Sequence, residues 1–220
     1  MVGYGIGWAC SGLPFSNLEC VRLFSPSEMT GVERIIQLKK AESACFLSEM
    51  LPIGSESPTV VNAFIEIPAG SKVKYEYDEK TETMYVDRIL YSSIQYPHNY
   101  GFIPETLGED GDPLDILVIM QEPVFPGCYL KAKVIGIMHM TDQGEVDDKI
   151  IAVHANDPDY SHVEDLTDLP THRLLEIKSF FNDYKKNENK HVDASHYNPK
   201  KEAYRVIREG HEAFLRAKER

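Results

Sequence analysis

The stretch Glu109-Asp110-Gly111-Asp112-Pro113-Leu114-Asp115 runs directly into Ile116-Leu117-Val118-Ile119-Met120. Five apolar residues in a row, bounded by turn formers, read as a strand buried on both faces. The mouth of that strand therefore carries four carboxylates. Their mutual repulsion is costly unless cations sit among them. Gly111 allows a tight turn there and Pro113 stiffens it. Taken alone, the stretch has a plainer reading as an acidic turn ahead of a core strand, so its meaning rests on what the rest of the chain brings to the same place.

The surrounding sequence is organised as short strands. Residues 59–67 alternate, with Val61, Ala63, Ile65 and Ile67 on one face. Residues 72–78 alternate more clearly, setting Val73, Tyr75 and Tyr77 against Lys72, Lys74, Glu76 and Asp78. Residues 83–91 form a third strand, the run after Asp115 a fourth, and 129–140 and 149–154 a fifth and sixth. Many short strands with turn signals between them predict a small closed or partly open barrel. Helical patterns follow at 171–186 and 199–218, with a short turn at 164–169. Strands first and helices last predict an α+β chain, mainly β in its core, with helices covering an antiparallel barrel.

The first 58 residues differ in texture. Before Glu19 there is no charge, and Gly3, Gly5, Gly7 and Gly12 leave no helical or strand period. Residues 1–27 have neither the basic start nor the apolar run of a secretory signal, and only Arg22 answers to the Arg-rich pattern of a transit peptide. Thr30-Gly31-Val32-Glu33 reads as a capping box, which predicts a helix at about 31–50. Pro52, Gly54, Ser55, Ser57 and Pro58 form a linker, so the main domain is expected to span 59–189, with a helical tail over 190–220. The net charge of −12 argues against a nucleic-acid surface. No run approaches the roughly 18 apolar residues of a membrane span. Cys10, Cys20, Cys45 and Cys128 show no metal-binding spacing and read as reduced thiols in a cytosolic or plastid-like compartment.

A second acidic cluster, Asp142-Gln143-Gly144-Glu145-Val146-Asp147-Asp148-Lys149, falls in the turn between the fifth and sixth strands. Two acidic loops at strand ends can meet at one barrel mouth. Carboxylates suit magnesium or manganese, which favour octahedral oxygen coordination. An EF-hand counted from Asp110 fails, because Asp115 stands where glycine is needed and Gln121 where glutamate is needed. Groups fit for phosphate recur nearby in sequence: Lys74 and Arg88 on adjacent strands, Lys149, the turn Tyr96-Pro97-His98-Asn99-Tyr100-Gly101, and Tyr184-Lys185 at a helix end. Each also has a plain structural reading by itself.

In this order, Glu66-Ile67-Pro68, Lys74-Tyr75-Glu76, Val86-Asp87-Arg88, Tyr96 to Gly101, Asp110-Gly111-Asp112-Pro113-Leu114-Asp115, Asp142 to Lys149 and Tyr184-Lys185 resemble the family I soluble inorganic pyrophosphatases, most closely the plant members. The resemblance covers roughly 59–189. It implies a five-stranded OB-like β-barrel flanked by helices, and Mg²⁺-dependent hydrolysis of diphosphate to two orthophosphates, with Mn²⁺ or Zn²⁺ as substitutes and Ca²⁺ as an inhibitor. By position it implies Asp110, Asp115, Asp142 and Asp147 as metal ligands, with Glu66 and Glu76 holding metal through water. It implies Lys74, Arg88, Tyr100, Lys149, Tyr184 and Lys185 as phosphate contacts. Asp112 matches the group that orients or deprotonates the attacking water, and Tyr96 a proton donor. Residues 1–58 match nothing in the family.

Two other readings stand beside this one. A non-catalytic OB-type module is disfavoured for nucleic acid by the charge. A nucleotide phosphohydrolase is disfavoured because no Gly-rich phosphate loop is present. The cytosol is the expected location, with a plastid as the alternative if the amino-terminal arm is a targeting segment. Monomer and homo-oligomer stay equally open, and neither nucleic acid nor a membrane is expected as a partner.

Overall fold

A computed structural model describes residues 51–78 and 80–219. The helix expected at about 31–50 lies outside the described residues. Among the described residues nine strands appear in order: β1 (Val60–Ile67), β2 (Val73–Asp78), β3 (Thr83–Ile89), β4 (Asn99–Phe102), β5 (Asp115–Ile119), β6 (Cys128–Asp142), β7 (Glu145–Val146), β8 (Lys149–His154) and β9 (Val192–Pro199). Two helices, α1 (Thr171–Asp183) and α2 (Lys200–Lys218), flank β9 in sequence.

Five strands close a ring. The hydrogen-bonded order runs β1-β4-β5-β8-β6, and β6 returns to pair with β1. This is the five-stranded OB-like barrel that the resemblance implies. The second and third strands read from the sequence are not staves of it, because β2 and β3 form a separate two-stranded sheet. The barrel is not wholly antiparallel either. Strands β5 and β8 run parallel, placing Asp115 beside Lys149 and Val118 beside Ala152. The connection between them contains β6, which is long enough to cross over.

Every residue of β5 after Asp115 is buried, as an apolar run demands. Ile116 and Val118 join a cluster with Val61, Ile65, Val134 and the α2 residues Ala203 and Ile207. Leu117 and Ile119 join the opposite cluster with Tyr96, Tyr100 and the α1 residues Ile177, Phe180 and Phe181. The strand thus belongs to both layers, and each helix closes one of them. Helix α2 buries Ala203, Ile207 and Gly210, four and three residues apart, along a single stripe.

Three strands fall outside the six read from the sequence, one of them the two-residue β7 within the second acidic loop. Residues 96–101 read as a turn, yet Asn99–Phe102 is a stave between β1 and β5. Gly101 makes that possible, since a Cβ there would lie 1.8 Å from the Phe64 carbonyl oxygen. Strand β9 pairs along the far half of β6. The segment leading into β1 also packs. Leu51 and Ile53 are buried, the Ile53 N–H donates to Glu105 Oε2 at 3.1 Å, and Asn62 Nδ2 donates to the Pro52 carbonyl at 2.7 Å. No helix among the described residues is long and apolar enough to cross a membrane.

Candidate active site

The first acidic loop is held from beneath. Thr106 Oγ1 donates to the Ile103 carbonyl and accepts the Leu114 N–H at 2.9 Å, while the Gly108 N–H donates to the Asp112 carbonyl at 2.7 Å. Leu107 N–H donates to the Gly210 carbonyl at 3.0 Å, so α2 anchors the loop. Gly210 has no Cβ because Leu114 occupies that space. Gly111 sits at φ +88°, in the left-handed region that glycine tolerates. Asp110 Oδ1 accepts the Asp112 N–H at 3.1 Å, leaving the Asp112 carboxylate outward at the loop tip.

The second loop arrives by a different device. Strands β6 and β7 are joined through Gln143 (φ +53°) and Gly144 (φ +92°), two consecutive left-handed residues of a tight hairpin. Asp147 and Lys149 then alternate to one face, and Asp148 turns to the other. There its carboxylate accepts the Met140 N–H at 3.2 Å and a hydrogen bond from His139 Nδ1 at 2.8 Å.

The register of β5 on β8 brings the loops together. Lys149, 1% exposed, lies between the carboxylates of Asp115 and Asp147, with its Nζ 2.5 Å from Asp115 Oδ2. Tyr100 donates its phenol to the same Asp115 oxygen at 2.6 Å. Burial opposes the Lys149 charge, but Asp115 and Asp147 outweigh it and hold its pKa above the ordinary value. Burial raises the pKa of Asp147, as do its neighbours' negative charges; Lys149 works the other way.

The small sheet supplies the opposite wall. Lys74 and Arg88 are cross-strand partners. Lys74 pairs with Glu76 and lies 3.5 Å from Asp87, and Tyr85 donates its phenol to Glu76. Arg88 donates through Nη1 to Asp87 at 2.6 Å and through Nε to Glu188 at 3.2 Å. Glu66, at the end of β1, accepts the Tyr77 N–H at 2.8 Å; burial, reinforced by Asp115 and Glu76, pushes its carboxyl up to about 7. The exit of α1 completes the rim, with Tyr184 buried and Lys185 paired to Asp142. Tyr184 keeps the helical conformation and donates its N–H to the Phe180 carbonyl, and the chain leaves the helix at Lys185, with φ −106°.

The structure therefore gathers the predicted residues around one mouth. Tyr96 is 2% exposed, its ring 5.4 Å from Tyr100 and 4.7 Å from Phe180. Burial and the Asp115 charge drive its phenol pKa far above the ordinary range, so it stays protonated. Asp112 is raised by burial and then by Asp110, Asp115 and Glu76, which makes it a better base than a solvated aspartate. Among the described residues no three carboxylates converge closely enough to ligate one ion as they stand. Lys149, Lys185 and Lys74 lie against them instead. The donors nevertheless fit a hard divalent cation: they are all oxygen, and Asp142 Oδ1 is buried without a hydrogen-bond partner.

Sequence reasoning gave no role to Asp87, Glu188, Asp148 or His139. Asp87 and Glu188 each touch Arg88, and His139 with Asp148 secures the second loop. The register of β2 on β3, the pairing of β6 with β8 and the path of the chain after α1 reveal these contacts.

The family model of inorganic pyrophosphatase matches residues 63–215. The chain is 61% identical over 157 residues to soluble inorganic pyrophosphatase 4 of Arabidopsis thaliana, covering 71% of this chain and 73% of that protein. It is 60% identical over 156 residues to soluble inorganic pyrophosphatase 2 of Chlamydomonas reinhardtii, covering 71% and 81%. The crystal structure of inorganic pyrophosphatase from Thermus thermophilus superposes with a TM-score of 0.73 at 39% identity, covering 75% of this chain and 97% of that one.

Proposed function

The chain belongs to the family I soluble inorganic pyrophosphatases, with plant proteins among its near relatives, and from that membership we propose that the barrel mouth hydrolyses diphosphate to two orthophosphates with Mg²⁺. The observation that carries this reading is the parallel pairing of β5 with β8. It draws the two acidic loops, separate in sequence, to one point opposite a wall of basic and phenolic donors.

Asp110, Asp115, Asp142, Asp147, Glu66 and Glu76 would hold divalent ions, which when bound would supply the positive charge a highly anionic substrate needs in an acidic pocket and lower the pKa of the attacking water. Asp112, raised by burial and then by its acidic neighbours, orients that water and takes its proton. Arg88 and Lys74 from the small sheet meet one phosphate, Arg88 through a planar fork and Lys74 as a point charge. Lys149, Lys185, Tyr100 and Tyr184 reach the other from the barrel and the α1 exit. Tyr96, kept protonated by burial, donates to the leaving oxygen. Mn²⁺ or Zn²⁺ would substitute at the same ligands, and Ca²⁺ would bind but support little turnover because its coordination is looser.

Phosphate release from diphosphate, from ATP and from buffer alone, each with and without Mg²⁺, tests this. Release from diphosphate alone and only with Mg²⁺ is expected. Equal release from ATP would favour a nucleotide phosphohydrolase, and no release a binding module. From the cysteine pattern and the weak targeting signal we propose the cytosol as its location; import of the full chain into plastids would overturn that.

A further inference from the structure

Two of the six proposed phosphate donors, Lys74 and Arg88, ride on β2 and β3, a two-stranded sheet outside the barrel. Two-stranded units are marginal by themselves, so what fastens this one matters. Toward its hairpin turn, the Tyr77 N–H donates to Glu66, and at its open end the Gly70 N–H donates to the Tyr96 carbonyl. Near Arg88 the fastening comes from the turn after α1. Glu188 Oε1 accepts from Arg88 Nε at 3.2 Å, and Asn187 Nδ2 donates to the Tyr91 carbonyl at 2.9 Å. That turn is itself closed, because the Glu188 N–H donates to the Lys185 carbonyl at 2.9 Å and Asn189 is left-handed at φ 57°. Glu188 is 9% exposed at its side chain and also lies 3.8 Å from Lys190.

The guanidinium geometry gives the contact its consequence. Arg88 commits Nε to Glu188 and one hydrogen of Nη1 to Asp87. Its plane is then fixed, and Nη2 with the remaining Nη1 hydrogen is the edge left for an anion. Asp87 is the neighbour of Arg88 on β3, so it restrains the group only from its own strand. Glu188 lies 100 residues away, on the turn that also carries Lys185. It therefore ties the orientation of one phosphate donor to the position of another.

We propose that Glu188 is a positioning residue for diphosphate hydrolysis: it clamps the Arg88 guanidinium and holds the small sheet at a set distance from Tyr184 and Lys185. The proposal rests on the reading of Arg88 as a phosphate donor.

Steady-state kinetics of the full-length protein at saturating Mg²⁺ test it, using Glu188→Ala, Glu188→Gln, Arg88→Ala and the double variant Arg88→Ala/Glu188→Ala. Glu188→Ala is expected to raise KM for diphosphate about tenfold while kcat changes by less than about threefold. Glu188→Gln keeps the volume and one acceptor and should bring KM back to within about threefold of the native value. In the Arg88→Ala background, adding Glu188→Ala should change kcat/KM by less than about twofold. A native KM in Glu188→Ala, or the same tenfold loss in both backgrounds, overturns the clamp. Should Glu188→Ala not fold, Glu188→Leu, which keeps the volume and has no acceptor, takes its place: a native KM in it overturns the proposal, and a rise in KM that is absent in the Arg88→Ala background supports it. If Arg88→Ala itself leaves kcat/KM unchanged, the reading of Arg88 has failed instead.

Discussion

Asp115 and Lys149 stand side by side as register partners on the parallel strands β5 and β8, and Tyr100 donates to the same Asp115 oxygen that the lysine reaches. One carboxylate is thus shared by a strand pairing, an ion pair and a phenol. Its replacement by asparagine keeps the shape but halves the acceptor capacity and removes the charge. Asp115→Asn is expected to lower kcat on the order of 100-fold or more, the scale seen when a preorganised charge contact is removed. Initial rates of phosphate release at saturating Mg²⁺ check it, and a near-native rate would remove Asp115 from the ligand set.

Lys149 has the opposite vulnerability. Replacing it by methionine keeps most of the buried volume but leaves Asp115 and Asp147 facing each other unneutralised. Breaking a buried pair in this way costs about 3–5 kcal/mol. Urea unfolding without divalent metal should show that loss, and added Mg²⁺ should recover part of it by binding the native carboxylates. Equal stability of the two proteins in metal-free buffer would show that the pair contributes nothing.

His98 makes stability depend on acid. Burial, with the Arg173 charge adding to it, pushes the imidazole from 6.5 down to about 4, and its Nε2 has no hydrogen-bond partner. The folded state therefore disfavours the proton that the unfolded chain accepts. Its contribution is complete above about pH 6.5 and is lost as pH falls through 4, at most about 3 kcal/mol. Denaturant midpoints across that window should fall, and His98→Gln should flatten the part of the slope that His98 contributes. A native slope in that variant would assign the dependence to other groups.

At Gly101 the close approach of β4 to β1 leaves no room for a methyl group, because the clash is with backbone rather than a flexible side chain. Gly101→Ala should destabilise the fold by roughly 4 kcal/mol or more, beyond the usual range for a single change. Thermal or urea unfolding measures it directly.

The parts of this structure legible in the sequence are those that a single strand's periodicity carries. The alternation of Val73, Tyr75 and Tyr77 marks β2, and the unbroken Ile116 to Ile119 run marks β5. Strand β4 has four residues, Asn99-Tyr100-Gly101-Phe102, with no period to detect; its place follows from a steric gap at Gly101. Strand β9 is mostly polar and buries only Ala194, since its task is to satisfy one edge of β6 rather than to fill a core. The candidate site residues were recoverable as motifs. Their ion pairs were not, because Lys185 meets Asp142 and Arg88 meets Glu188 only through the topology.

Strand β6 is 15 residues long and bonds with β1, β7, β8 and β9, whose residues span 60 to 199. During synthesis it is made after β1 but before β8 and β9. A nascent chain paused near residue 145 displays an apolar strand with much of its edge unsatisfied, the kind of surface that templates misassembly. The interval needed to add the next 55 or so residues, a few seconds at roughly 5–20 residues per second, is when this protein most needs a holdase. Arrest of translation upstream of β9 should yield an aggregating, chaperone-bound product, whereas arrest downstream of it should not.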